Sequence, residues 1–229
     1  MNEREFNLNI GGFTPFSTID FPSHLSAVIY TQGCNFHCPY CHNLQLVDCL
    51  KPSISHEKIH EFLQARRRII DGVVITGGEP TLHKDLPAFC AWLKDMGFAV
   101  KLDTNGTKPS MLRLLIKKRL VDYIAMDIKA PWIKYQTVTD TAFPVEPVVK
   151  SVSFLKSAKF PCEFRTTVHS SLLSLEDLED IVHIVGQNHL LCLQVARPTP
   201  FYKERNEYTK ESLEAVSYTH LTLPTKRIV

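Results

Sequence analysis

Six short runs rich in Val, Ile, Leu and Ala recur along the chain, and segments of helical period separate them. The runs are Leu25–Thr31, Gly72–Thr76, Ala99–Asp103, Tyr123–Asp127, Glu163–Val168 and Leu190–Val195. Continuous apolar runs without alternation belong to strands buried in a parallel sheet, and parallel neighbours need a crossover of a dozen or more residues. The helical segments supply it. Ser55 caps a helix to about Ile70 with Ile59, Phe62, Leu63 and Ile69 on its apolar face. Leu86–Met96 closes at Gly97, Pro109 opens a helix to Leu120, and another spans Glu146–Ala158. Ser174-x-x-Asp177 reads as a capping box for a helix to Val185. The pattern predicts an α/β fold. An eight-unit barrel takes about 250 residues. This chain has 229 and spends 24 before its first strand, so a partial (β/α)6 TIM-like barrel of parallel strands in a single domain fits better. An open doubly wound sheet is the alternative. The expected organisation is an N-terminal extension over 1–24, a core over 25–200 and a C-terminal segment over 201–229. The last helix is Lys210–Val216. Ser217–Val229 has no helical period and reads as non-native or disordered.

Charge narrows the function classes. Lys plus Arg is 26 against 24 Asp plus Glu, a balance that points to neither nucleic acid nor a membrane surface. Arg66–Arg68 and Lys117–Arg119 fall in the C-terminal halves of predicted helices, where positive charge complements the dipole. No secretion signal opens the chain and no apolar run of about 18 residues would cross a membrane. Seven cysteines in such a chain imply a reducing cytoplasm, where clustered thiols bind metal more often than they form disulfides.

The chemistry-bearing residues sit at strand ends, where parallel α/β folds build their sites. Cys34, Cys38 and Cys41 follow the first strand with C-x3-C-x2-C spacing. Gly77-Gly78-Glu79-Pro80 follows the second and Asp103-Thr104-Asn105-Gly106 the third; Asp127-Ile128-Lys129 ends the fourth, and Arg165 lies in the fifth. A zinc site would need a fourth ligand, with His37, His42 or the more distant Cys49 available, yet no second Cys/His pair follows. A [4Fe–4S] cube held by three thiolates instead leaves one iron open, which is useful only if a substrate or cofactor completes it. Cys90, Cys162 and Cys192 lie in apolar contexts and read as core. Gly77–Pro80 taken alone is a tight turn.

Together these segments resemble the radical S-adenosylmethionine (SAM) superfamily. The stretches GGFTPFSTIDFPSHLSAVIYTQGCNFHCPYCHN, VVITGGEPTLH, LDTNGT and MDIKAP resemble its glycyl-radical-enzyme activating branch. They are most like the activating proteins of anaerobic ribonucleoside-triphosphate reductase. The resemblance covers about residues 6–200. It implies that Cys34, Cys38 and Cys41 bind three irons of a [4Fe–4S] cluster and that SAM chelates the fourth through its amine and carboxylate. His37 and His42 are then not ligands. It implies that Tyr40 lies by the adenine and that Gly77, Gly78, Glu79 and Pro80 hold the methionine amino end. Asn105, with Thr104 beside it, is a candidate for the SAM carboxylate or ribose. Asp103 and Asp127 resemble carboxylates that hold a monovalent cation in some activases; their plainer role is as strand-end caps or salt-bridge partners. Lys129 answers the carboxylate charge or is an ordinary surface lysine, and Arg165 does the same from the fifth strand or simply pairs with an acid.

The implied reaction starts with an electron from a flavodoxin- or ferredoxin-type donor. Reductive cleavage of SAM gives methionine and a 5′-deoxyadenosyl radical, which takes hydrogen from a glycine of the partner, anaerobic ribonucleotide reductase. No catalytic side chain beyond the cluster and SAM is implied. Two departures stand out: no second four-cysteine cluster is visible, and Leu44-Gln45-Leu46 follows Asn43 where relatives often have proline. Two other functions share parts of the pattern. One is a small-molecule radical SAM enzyme resembling 7-carboxy-7-deazaguanine synthase, and the other is a non-catalytic metal-binding module.

Overall fold

A computed structural model describes residues 6–200, 202–219 and 226–228. The chain gathers into two compact units. The first comprises residues to Asn35, Asn43–Thr104 and Lys108–Ile124, and the second Phe36–His42, Asn105–Thr107 and the residues from Ala125 onward.

The first unit holds strands β1 (Ile10–Ser17), β2 (Ser26–Thr31), β3 (Gly72–Gly77) and β4 (Ala99–Thr104). β2, β3 and β4 pair in parallel, with Ile29 opposite Ile75 and Ile75 opposite Leu102, all fully buried. The next row on the other face sets Val28 beside Val74 and Val74 beside Lys101. β1 pairs antiparallel with β2. Gly11, Gly12 and Pro15 disguise this strand in the sequence, where it falls within the N-terminal extension. Proline and register shifts are tolerated on such a strand, and the pairing slips between Thr14 and Ser17.

Four helices belong to this unit: α1 (Leu44–Val47), α2 (His56–Arg66), α3 (Leu86–Asp95) and α4 (Pro109–Lys117). Ser55 accepts from the Lys58 amide, as its capping role requires. α2 stops one turn before the expected Ile70. The Ile69 and Ile70 amides both turn back to the Arg66 carbonyl, so Ile70 is buried and Ile69, expected on the apolar face, is exposed. α4 likewise ends before Leu120, because Arg119 adopts a left-handed φ of 55° and reverses the chain. α3 buries Leu86, Phe89, Cys90 and Leu93, and Gly97 ends it with φ 90°.

β5 (Tyr123–Asp127) runs from the first unit into the second. There β6 (Cys162–Val168), β7 (Leu190–Val195) and β8 (Lys226–Ile228) pair in parallel, and Phe164, Leu191 and Leu193 fill the core. Four helices accompany them: α5 (Tyr135–Thr139), α6 (Glu146–Ser157), α7 (Leu175–Val185) and α8 (Lys210–Thr219). The Ser174–Asp177 capping box is formed in both directions. α8 continues through Ser217–Thr219 of the segment that reads as non-native, and Lys226–Ile228 pair with β7; residues 220–225 and 229 lie outside the described residues. Each unit therefore has the α/β character and parallel pairing that the strand pattern predicts.

Candidate active site

β2 and β3 deliver two loops side by side. β2 ends at Thr31, and two residues later Gly33, with φ 85°, turns into Cys34. β3 ends at Gly77, with φ 113°. The Gly78 amide donates to the Thr31 carbonyl at 2.8 Å, and the Glu79 amide donates to the Gly33 carbonyl at 2.7 Å. The turn that begins Glu79-Pro80 is thus tied by backbone bonds to the residue preceding the first cysteine. Only glycine permits the approach. A Cβ on Gly77 would lie 2.4 Å from the Thr31 nitrogen, and one on Gly78 would lie 2.1 Å from the Gly33 oxygen.

Glu79 is almost wholly buried. Its Oε1 accepts from the Thr81 amide at 3.0 Å, from the Thr81 hydroxyl and from the Thr104 hydroxyl at 2.7 Å. The carboxylate is therefore held from two strand ends, β3 and β4. Pro80 is buried at the start of a short 3-10 turn over Pro80–Leu82. One strand position back from Thr104, Asp103 receives the Lys101 ammonium at 2.7 Å; the Lys101 side chain is 2% exposed. Neither Thr81 nor Lys101 stands out in the sequence as a site residue. The signal for Lys101 was a Lys and an Asp two apart in an otherwise apolar strand, which puts both on one face.

The second unit carries the rest of the cysteine loop. Cys38 is buried, and the Cys41 amide donates to its carbonyl at 3.0 Å. Burial pushes the Cys38 thiol above its ordinary range, the Lys129 ammonium draws it back, and Cys41 and Asp127 add to the rise. Tyr40 is buried as well. Burial first, and then Cys38, hold its hydroxyl well above the usual phenol range. The Cys38 thiol is its neighbour, and the two side chains interact. His37 and His42 are both exposed.

Asp127 accepts from Lys129 Nζ on Oδ2 at 2.8 Å and from Arg165 Nε on Oδ1 at 3.0 Å. Burial alone would raise its carboxyl; the two cations outweigh this and hold it down at about 2. Tyr135, also buried, accepts on its hydroxyl oxygen from the Lys129 amide at 3.4 Å. Asn105 is buried, and its Oδ1 accepts from the Thr107 amide at 3.0 Å and hydroxyl at 2.8 Å, an Asx-type turn that shapes the loop after β4. Gly106, at φ 75°, packs so closely that a Cβ would lie 2.0 Å from Met126 Cε. The first unit thus collects Cys34, Gly77–Pro80, Asp103 and Thr104, and the second Cys38, Tyr40, Cys41, Asn105, Asp127, Lys129 and Arg165.

Among the described residues, no three His, Cys, Asp or Glu side chains form a group for a single metal ion. Thiolates of a cubane bind separate irons and do not converge on one centre as zinc ligands do. The donor set fits such a cluster: all seven cysteines are free thiols, and three fall in one loop. In the first unit the groups suit the amino-acid end of such a cofactor: the backbone at Gly77–Gly78 leaves no room for side chains, and the Glu79 carboxylate is fixed by donors from Thr81 and Thr104. In the second unit the Tyr40 ring is buried. Of the other cysteines, Cys90 and Cys192 are buried in the core and Cys162 is half-buried at the start of β6. Cys49 is exposed, with its sulfur 3.7 Å from where a Cβ on Gly33 would lie.

Residues 28–187 match the radical SAM superfamily, and the chain belongs to that superfamily. It is an enzyme of the same kind as two proteins of Methanocaldococcus jannaschii, each named "putative glycyl-radical enzyme activating enzyme". One is 38% identical over 203 residues, covering 85% of this chain and 82% of its own length. The other is 30% identical over 180 residues, covering 75% and 68%. The fold is also that of SuiB from Streptococcus suis, solved bound to S-adenosylmethionine, at a TM-score of 0.68 and 16% identity over 88% of this chain. The chain spans about half of that protein's length, 49%.

Proposed function

We propose that this enzyme cleaves SAM reductively at a [4Fe–4S] cluster and installs a glycyl radical on a partner enzyme, anaerobic ribonucleoside-triphosphate reductase. The observation that carries the SAM chemistry is the 2.7 Å bond from the Glu79 amide to the Gly33 carbonyl, which couples the Gly77–Pro80 turn to the residue before Cys34. The glycyl target rests on the likeness over 203 residues to a protein bearing that name. When bound, the cluster and SAM supply an electron and a hydrogen-abstracting radical.

The chain's own part is binding and orientation. Cys34, Cys38 and Cys41 hold the irons. Gly77, Gly78 and Pro80 offer a close backbone surface, and Glu79, fixed by Thr81 and Thr104, receives the amino end. Tyr40 lies by the adenine, and Lys129 offers positive charge beside Cys38 while Asp127, itself held by Arg165, keeps it in place. Asn105 shapes the loop that follows β4. Burial of Glu79 and Tyr40 excludes water from the reacting groups. Free thiols throughout agree with a reducing cytoplasm, where a flavodoxin- or ferredoxin-type protein is the donor.

The test is anaerobic reconstitution followed by incubation with SAM and dithionite, with and without the reductase. About four irons with matching sulfide are expected. So are 5′-deoxyadenosine formation and a glycyl radical signal by electron paramagnetic resonance. Stoichiometric zinc without sulfide would overturn the radical reading. SAM cleavage dependent on a small molecule would shift the assignment toward a 7-carboxy-7-deazaguanine synthase-like enzyme.

A further inference from the structure

Asp103 and Asp127, the two carboxylates matched to monovalent-cation ligands, do not fit an exogenous ion. Each already holds a cation of the chain's own. Lys101 Nζ lies 2.7 Å from Asp103, and Lys129 Nζ and Arg165 Nε each take one oxygen of Asp127, at 2.8 and 3.0 Å. Lys101 is the informative residue. It stands in register with Val74, which pairs with Val28, and all three are buried. An ammonium in a row of valines is costly unless a counter-charge meets it, and the carboxylate of Asp103, two residues on along the same strand face, does so. The next residue along β4 is Thr104, whose hydroxyl holds the Glu79 carboxylate at 2.7 Å.

We propose that Lys101 is a built-in counter-cation for Asp103, so that SAM binding and stability in this enzyme need no alkali-metal ion. The ammonium is tethered two residues from its partner. It pays no entropy of association, and a potassium or sodium ion would have to displace a group that cannot diffuse away. Lys101 is thus a positioning residue: it keeps the Asp103 carboxylate neutralised at the end of β4, one residue before the Thr104 that holds Glu79. The inference rests on SAM being the ligand, as proposed above.

The test uses the reconstituted enzyme in potassium, sodium or choline chloride at equal ionic strength, and reads both SAM affinity and melting temperature. The wild type should bind SAM with constants that agree within about twofold in all three salts. Lys101→Ala opens the ammonium's place; it should lose at least about tenfold in affinity in choline and regain most of it in potassium or sodium. Wild-type affinity rising tenfold or more with either alkali ion would overturn the proposal, and so would Lys101→Ala binding SAM in choline as the wild type does. Should Lys101→Ala not fold, Lys101→Met combined with Asp103→Asn removes both charges together and should melt independently of the alkali ion; a melting temperature that still follows the ion overturns the proposal. Failure of the wild type to bind SAM in any salt would count against the proposed function instead. The melting arm then decides the cation question alone, and a wild-type rise above about 3 °C on adding potassium or sodium would overturn it.

Discussion

A Cβ atom on Gly78 would lie 2.1 Å from the carbonyl oxygen of Gly33. The two loops that carry the cysteine motif and the Gly77–Pro80 turn therefore meet backbone to backbone, and the contact depends on the missing side chain. Gly78→Ala must push the loops apart. We expect it to cost about 1–3 kcal/mol by urea unfolding, the range for overpacking. SAM affinity in the reconstituted enzyme should fall at least about tenfold. Gly97→Ala is the control. Gly97 also has positive φ, 90°, but a Cβ there would come no nearer than 4.0 Å to Arg67. It should cost about 1–2 kcal/mol of backbone strain and leave SAM affinity unchanged. Equal loss of affinity in both variants would show that Gly78 matters through stability alone.

Thr104 tests how Glu79 is held. Its hydroxyl is one of three donors on a single carboxylate oxygen, and both residues are buried. Thr104→Val keeps the shape and removes the donor, which should cost about 1 kcal/mol. SAM affinity should drop with it, and Thr104→Ser should restore most of both. A valine variant that binds SAM as the wild type does would place the function of Glu79 elsewhere.

The parts of this molecule that local chemistry determines were legible in the sequence. Gly77 and Gly78 announced a turn that side chains would block. The Ser174–Asp177 box formed because each partner lies three residues from the other on the first turn of α7. What escaped was set by pairing between distant segments. β1 carries two glycines and a proline and reads as coil; only the antiparallel edge of β2 makes it a strand. Lys101 reads as an ordinary strand residue until β3 places Val74 beside it and the apolar surroundings give its charge a purpose. The helix ends at Arg66 and Lys117 were overrun for the opposite reason. Apolar residues continued past both, and neither Ile69 nor Leu120 could report that the backbone had already turned.

Asp127 gives a pH signature. Its folded carboxyl sits at about 2, below the ordinary 3.8, because Lys129 and Arg165 outweigh the upward push of burial. A carboxylate depressed in the folded state contributes stability that is complete above its unfolded pKa and lost as pH falls through the folded one. The contribution, about 2 kcal/mol, should be full above about pH 5 and decline between about pH 4 and 2. Asp127→Asn should therefore be destabilised at pH 7 by about that amount, with the gap to wild type narrowing in acid. Urea unfolding of the cluster-free chain across this range reads it. A gap that stays constant down to pH 2 would mean the carboxylate is not held by its cations.

Substitutions in the cysteine loop test which side chains are the proposed ligands. His37 and His42 are exposed, and the His37 backbone amide, not its ring, is what bonds to the Thr139 carbonyl at 3.0 Å. Cys49 is exposed too, though its sulfur reaches the neighbourhood of Gly33. Cys38 by contrast is buried, and burial raises its thiol, so loading a cluster must expel a proton and should become more complete as pH rises. Iron and sulfide analysis after anaerobic reconstitution should therefore find normal content in His37→Ala, His42→Ala and Cys49→Ala. Cys34→Ala, Cys38→Ala and Cys41→Ala should lose most of their iron and all SAM cleavage. If Cys49→Ala or either histidine variant also loses its iron, a fourth protein ligand closes the cluster, and the open iron on which SAM binding depends does not exist in this enzyme.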